Sequence, residues 1–226
     1  MRRILALILC LTLLPLPVRG RETRYVALTF YDGPSGKYTR QLLEGLRRRD
    51  ARATFLLCGY RMKDYPDLTR RIWEEGHEIG FHGYSHAPMN TMSRRDIAQE
   101  LMDSQALLPE GCRPTLLRPP GGCCSDGVVQ VARARQLAIL GWSVDPRDWA
   151  TSDPRAVEEA VLKTIRDGDI VLLHDMSASS VQAALAIIDA LQSQGIELVT
   201  VSELATLRNK TLTPGKTYKN LPPPQN

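Results

Sequence analysis

Beyond residue 24 the sequence predicts an α/β fold whose parallel strands curl into one closed or nearly closed barrel. Three observations carry that prediction. Short apolar runs alternate with longer amphipathic ones along the chain. Several short runs are near-continuous in apolar residues, as strands buried on both faces tend to be. Seven such units follow one another without a linker, which argues for one domain and against two.

The strand-like runs are Tyr25–Phe30, Ala53–Cys58, His77–Phe81, Thr115–Arg118, Leu140–Val144, Asp169–His174 and Ile196–Thr200. Helix-like segments lie between them at Thr39–Arg49, Tyr65–Glu75, Ser93–Leu108, Gly127–Ala138, Pro154–Arg166 and Val181–Ser193. In the third of these, Ile97, Leu101, Met102 and Leu108 form an apolar stripe, and Ser93 with Asp96 resembles a capping box. Gly76, Gly168 and Gly195 follow helical segments, as helix stops should. The tail from Asn209 to Asn226, with Pro222-Pro223-Pro224, is predicted to be disordered, so the folded domain spans residues 21–208.

Residues 1–20 read as an export signal. Arg2 and Arg3 precede the apolar run Ile4–Leu14, and Pro15, Pro17 and Gly20 follow as a processing region. The run is short for a bilayer span, so the mature protein is expected outside the cytoplasm or in the cell envelope, without a stable membrane span. Losing Arg2, Arg3 and Arg19 reduces 29 basic residues to 26, against 25 acidic ones. The formal charge falls from +4 to +1, which argues against a nucleic-acid partner. No protein partner is indicated. Arg47-Arg48-Arg49 ends a helical segment, where cations suit the helix dipole. Cys58, Cys112, Cys123 and Cys124 remain after cleavage, and their spacing selects none of three possible pairings. With no C-x-x-C pair, a cysteine zinc site is not expected.

The unusual residues share a position. Asp32 follows the first strand, His82 the third, Arg118 ends the fourth, Asp145 follows the fifth and His174 ends the sixth. In an α/β barrel these points open onto the one face where such folds place their chemistry. His82 and His86 are spaced H-x-x-x-H, and one helical turn would put both rings on one side. Adding Asp32 makes a two-His, one-carboxylate set with open positions, which suits a hydrolytic metal better than a closed structural one. His77, at the opposite strand end, reads as structural.

Five segments now resemble the motifs of the polysaccharide deacetylases, carbohydrate esterase family 4, in that family's order. They are Thr29-Phe30-Tyr31-Asp32-Gly33-Pro34, His82 to His86, Arg118-Pro119-Pro120-Gly121, Asp145-Pro146-Arg147-Asp148-Trp149 and Leu172-Leu173-His174-Asp175. The resemblance covers Tyr25 to Leu207 and implies a distorted (β/α) barrel of the NodB type. It implies that Asp32, His82 and His86 hold a divalent metal, zinc or cobalt. That metal would polarise an acetamide carbonyl and lower the pKa of its bound water toward about 7. His174 would protonate the leaving amine, since imidazole titrates near working pH. Asp145 would orient the catalytic groups and Arg118 would position a carboxylate. Trp149 and Leu172, with Pro119 and Gly121, would shape the substrate pocket. The implied substrate is an N-acetylated polysaccharide, with peptidoglycan N-acetylglucosamine or N-acetylmuramic acid preferred over chitin fragments.

One position departs from the pattern. The family's first motif carries two adjacent aspartates, the first of them the catalytic base, and here that residue is Tyr31. A phenol with a pKa near 10 is only about 0.1% ionised at neutral pH. Three readings are open. Tyr31 is tolerated at a cost of roughly 10²- to 10⁴-fold. Alternatively, Tyr31 is activated as a phenolate, or Asp148 or Asp175 substitutes for the base. In the third reading the domain is weak or inactive and binds glycan with the help of its metal.

Overall fold

The computed structural model describes residues 23–224, so the segment 1–20 read as an export signal lies outside them. Eight strands form the sheet: β1 (Arg24–Tyr31), β2 (Thr54–Leu57), β3 (Glu78–Phe81), β4 (Leu116–Leu117), β5 (Ala138–Leu140), β6 (Ile170–His174), β7 (Ile196–Leu198) and β8 (Thr217–Tyr218). Their order is β6-β1-β2-β3-β4-β5-β8, with β7 paired to the start of β1, and every pairing is parallel. The sheet curls toward closure. Beyond β5, Val144 makes an isolated parallel bridge to Val171 of β6, and Leu172 donates its N–H to the Val144 carbonyl at 2.9 Å. The fifth strand-like run, Leu140–Val144, is thus misplaced: β5 spans Ala138–Leu140, sharing only Leu140 with it and taking Ala138 from the predicted helix, and Val144 keeps this single contact.

Among the described residues eight α-helices accompany the strands: α1 (Gly36–Arg48), α2 (Gly59–Asp64), α3 (Pro66–Glu74), α4 (Arg94–Gln105), α5 (Asp126–Ala134), α6 (Pro154–Thr164), α7 (Ala178–Ser193) and α8 (Val201–Leu207). Ser93 caps α4 by accepting from the Asp96 N–H, and Thr200 with Glu203 completes a capping box on α8. Alternation along the strands divides the core into layers. Leu28, Phe30, Val171 and Leu173 face outward into one cluster with Leu42, Leu43, Ile187 and Ile188 of α1 and α7. Ala27, Leu56, Leu116, Leu140 and Ile170 face inward and form a separate cluster that fills the barrel. Tyr31 packs against that inner cluster, and the inward-pointing parity carries on to His174 at the end of β6.

The C-terminal tail departs from the sequence prediction. β8 extends the sheet beside β5, and Leu221 is 1% exposed within the inner cluster. The Leu221 N–H donates to the Gly168 carbonyl at 2.7 Å. Composition alone signalled disorder there. The open edge of β5 and the open lower mouth of the barrel supply the hydrogen bonds and apolar surface that order residues 209–224. Burying one leucine contributes about 1.5–3 kcal/mol.

Candidate metal and active site

The site sits where β1, β3 and β6 end. Asp32, the first residue beyond β1, points one carboxylate oxygen, Oδ1, at two imidazoles: His82 Nε2 and His86 Nε2 each lie 3.1 Å away. His82 is fully buried, and its Nδ1 lies 2.6 Å from the Arg118 carbonyl oxygen. That carbonyl can only accept, so Nδ1 carries the proton and Nε2 presents a lone pair. A lone pair facing a carboxylate oxygen is repulsive unless a cation or proton lies between them. Both atoms, Asp32 Oδ1 and His82 Nε2, are buried and lack a hydrogen-bond partner. Two imidazole nitrogens and a carboxylate oxygen converging in this way fit a divalent metal such as zinc or cobalt.

The electrostatics agree. Burial alone would raise the Asp32 carboxyl, but His82 and His86 hold it below the usual carboxylate range. Burial pushes His82 down against the pull of Asp32, while Asp32 draws the more exposed His86 up. The backbone reaches these positions at a cost. Six described non-glycine residues have positive φ. Asp50, Gln136 and Asn209 follow helix ends, where that conformation closes a cap. The other three, Asp32 (φ 70), His86 (φ 62) and Arg147 (φ 54), lie at the site. Conformations of this kind cost on the order of 1–3 kcal/mol each and persist where function holds them. The turn His82–His86 is accordingly not helical; the left-handed His86 swings its ring back toward Asp32.

His174, at the end of β6, faces the same centre with Nε2 3.9 Å from Asp32 Oδ2. Its other nitrogen, Nδ1, lies 2.6 Å from Asp148 Oδ1, and the backbone N–H of His174 donates to Asp148 Oδ2 at 2.9 Å. Asp148 is buried and fixes both the orientation and the tautomer of the ring, leaving Nε2 to the cleft. The orienting role expected of Asp145 therefore falls to Asp148. Asp145 is exposed and accepts from the Arg147 N–H at 2.9 Å. Left-handed Arg147 then reverses the chain and turns Asp148 inward.

Tyr31 pairs with His174 across β1 and β6, with ring centroids 4.0 Å apart. Burial and the Asp32 charge push its phenol further up than usual, and Arg118 opposes this only in part. Arg118 is fully buried and pushed down to about 9 by burial. It donates to the Gly141 carbonyl at 2.9 Å, and its guanidinium lies 5.6 Å from the ring centres of Tyr31 and Trp142. One guanidinium nitrogen is buried without a partner, and no carboxylate pairs with it among the described residues. Asp175 is buried, bonded to Thr39 and raised to about 6 by that burial.

A cleft of about 740 Å³ opens beside these groups, and Tyr31, Asp32, Asp148, Trp149, His174 and Met176 line it. Trp149 is 61% exposed at its rim. Leu172 is buried one inward-facing position below His174, Pro119 is buried, and Gly121 is exposed in the turn after β4. None of these three lines the cleft. One donor was not anticipated: Cys58, buried at the end of β2, lies with its sulfur within 4.8 Å of the Asp32 and His82 ligand atoms. Burial raises its thiol, so it stands beside the centre in protonated form. A single cysteine delivered by a neighbouring strand leaves no spacing signal in the sequence.

Comparison with known proteins agrees with this geometry. Residues 19–140 match the family model described as polysaccharide deacetylase. A peptidoglycan-N-acetylglucosamine deacetylase of Bacillus cereus is 39% identical over 187 residues, 80% of this chain and 88% of that protein. Peptidoglycan deacetylases of Bacillus subtilis and Listeria monocytogenes, 34% and 35% identical, are longer, and the match spans 40% of their length. Among solved structures, a family 4 acetyl xylan esterase from Clostridium thermocellum in complex with a cobalt ion is 32% identical, with a TM-score of 0.82 over 88% of this chain and all of that one. A mutant of a carbohydrate esterase family 4 pseudoenzyme with restored enzymatic activity is 30% identical, with a TM-score of 0.75 over 81% of this chain and 68% of that one. With the matching barrel, the five motifs in order and relatives of this length, the chain belongs to the polysaccharide deacetylase family.

Proposed function

We propose that the protein is an exported, divalent metal-dependent deacetylase that removes N-acetyl groups from amino sugars of peptidoglycan. The observation that carries this reading is the convergence of Asp32, His82 and His86, with the Asp148-braced His174 facing them. The substrate preference rests on the Bacillus cereus relative, which acts on peptidoglycan N-acetylglucosamine by its name. Export rests on the apolar segment near residue 10.

A metal held by Asp32, His82 and His86 would supply Lewis acidity at the acetamide carbonyl. The remaining work falls to side chains. Four titratable groups line the cleft: Tyr31, Asp32, Asp148 and His174. Asp32 serves as ligand, Asp148 is committed to His174, and Tyr31 stays a neutral phenol. His174 is therefore the group that takes a proton from the attacking water and returns it, from Nε2, to the leaving amine. Trp149 at the rim offers a flat apolar face to a sugar ring.

Acetate release from N-acetylglucosamine oligomers and from peptidoglycan, with zinc or cobalt added, tests this. The expected result is slow, chelator-sensitive release that His174→Ala abolishes. A second reading, a glycan-binding domain without turnover, is favoured by Tyr31 at the base position and by the pseudoenzyme relative. It prevails if the natural protein is inert on every acetylated glycan while Tyr31→Asp is active. It also predicts that His174→Ala retains glycan affinity.

A further inference from the structure

The turn that carries the two histidine ligands is held from outside the motif, and we infer that Glu100 of α4 is the residue that pre-forms it for the metal. This inference rests on the metal-site reading above. Glu100 Oε2 accepts from the Tyr84 N–H at 2.7 Å and the Ser85 N–H at 2.8 Å, and Oε1 accepts from the Ser85 hydroxyl at 2.8 Å. The carbonyls of the same turn are taken from the other side. Gly59 N–H donates to the Gly83 oxygen at 2.9 Å, and Tyr60 N–H donates to the Tyr84 oxygen at 3.0 Å. Nothing within the turn could replace Glu100, because it forms no helix and its consecutive N–H groups have no carbonyl of their own to meet.

The arrangement bears directly on ligation. Between His82, fixed by β3 and the Arg118 carbonyl, and His86 lie three residues, and the left-handed φ of His86 must be sustained for its ring to reach Asp32. A carboxylate accepting three hydrogen bonds restrains that path in the absence of any cation. Gly83 is shaped to it: a Cβ there would sit 3.2 Å from Glu100 Oε2 and 2.9 Å from the Met89 methyl, at a φ of +84 that disfavours side chains. Glu100 thus acts on the metal through the ligand turn, as outer-shell partners do, where their loss typically lowers affinity 10- to 100-fold.

The test compares Glu100→Ala, Glu100→Gln and the natural protein by two readouts. One is zinc affinity by chelator competition. The other is hydrogen exchange at the Tyr84 and Ser85 amides in metal-free protein, with the β3 amides as the folding control. Glu100→Ala should weaken zinc binding about 10- to 100-fold and expose the Tyr84 and Ser85 amides while β3 stays protected. Glu100→Gln keeps an oxygen for both amides and should restore most of both. Unchanged affinity and unchanged protection in Glu100→Ala would overturn the inference. So would equal losses in Gln and Ala, which would assign the effect to charge. If Glu100→Ala does not fold, wild-type protection in Glu100→Gln supports the clamp and its loss refutes it. A natural protein that binds no zinc refutes the metal reading instead, and the exchange measurement still decides whether Glu100 holds the turn.

Discussion

His77 and His82 flank the same four-residue strand, both are buried, and burial depresses the titration of both. Each has an Nε2 without a hydrogen-bond partner. Their surroundings differ. His77 takes the Ala53 N–H on Nδ1, packs 5.4 Å from the Phe55 ring and is faced by the cations Arg52 and Arg71. His82 gives its Nδ1 proton to a carbonyl and turns Nε2 on a carboxylate and a second imidazole. The cavity beside His77 is about 830 Å³, larger than the 740 Å³ cleft at the other end. Neither burial, nor an orphaned nitrogen, nor cavity size therefore marks a site. What marks it is which other donors the strand ends deliver.

The sharpest way to break this contrast is at the brace of His174. Asp148→Asn should lower the rate of acetate release by about 10²- to 10⁴-fold, because the ring loses its enforced tautomer. Asp145→Asn should change it little. Equal losses in the two variants would return the orienting role to Asp145. At the opposite end the effects should fall on stability alone. Leu221→Ala should cost about 2–5 kcal/mol in urea unfolding, as a buried leucine truncated in a packed core does. A cost near zero would mean that the tail does not plug the barrel in solution.

A pH-dependent effect separates the two histidines. Burial, with Arg52 and Arg71 nearby, holds His77 down to about 4 in the folded state, against an ordinary value of 6.5. The unfolded chain then binds the proton more readily, so this contribution to stability is complete above pH 6.5 and is lost as pH falls toward 4. The loss is on the order of 3 kcal/mol. His77→Phe should flatten unfolding free energy over that window, and an unchanged slope would show that other groups cause it.

Position along the strands made much of this legible. Asp32, His82, Arg118 and His174 each sit at or just beyond a strand end, the H-x-x-x-H spacing adds His86, and alternation with apolar neighbours fixes which end and which face. Motif order added Tyr31 and Trp149 at the same mouth. The sequence could not show which aspartate of Asp145-Pro146-Arg147-Asp148 turns inward, because that depends on a left-handed arginine, a conformation that local propensity disfavours. It could not show the clamp of Glu100, which acts across 15 residues on a non-helical turn from helix α4. Nor could it show the ordered tail, whose partners are the β5 edge and the barrel mouth. Each of these features is set by tertiary geometry that overrides a local signal.

On the proposed reading His82 and His86, with Asp32, hold one metal ion. Zinc or cobalt stoichiometry of the chelator-stripped and reloaded protein, measured for the natural chain, His82→Ala and His77→Ala, tests it most directly. One tightly held equivalent is expected in the natural chain and in His77→Ala, and none in His82→Ala. A full equivalent retained by His82→Ala would contradict it.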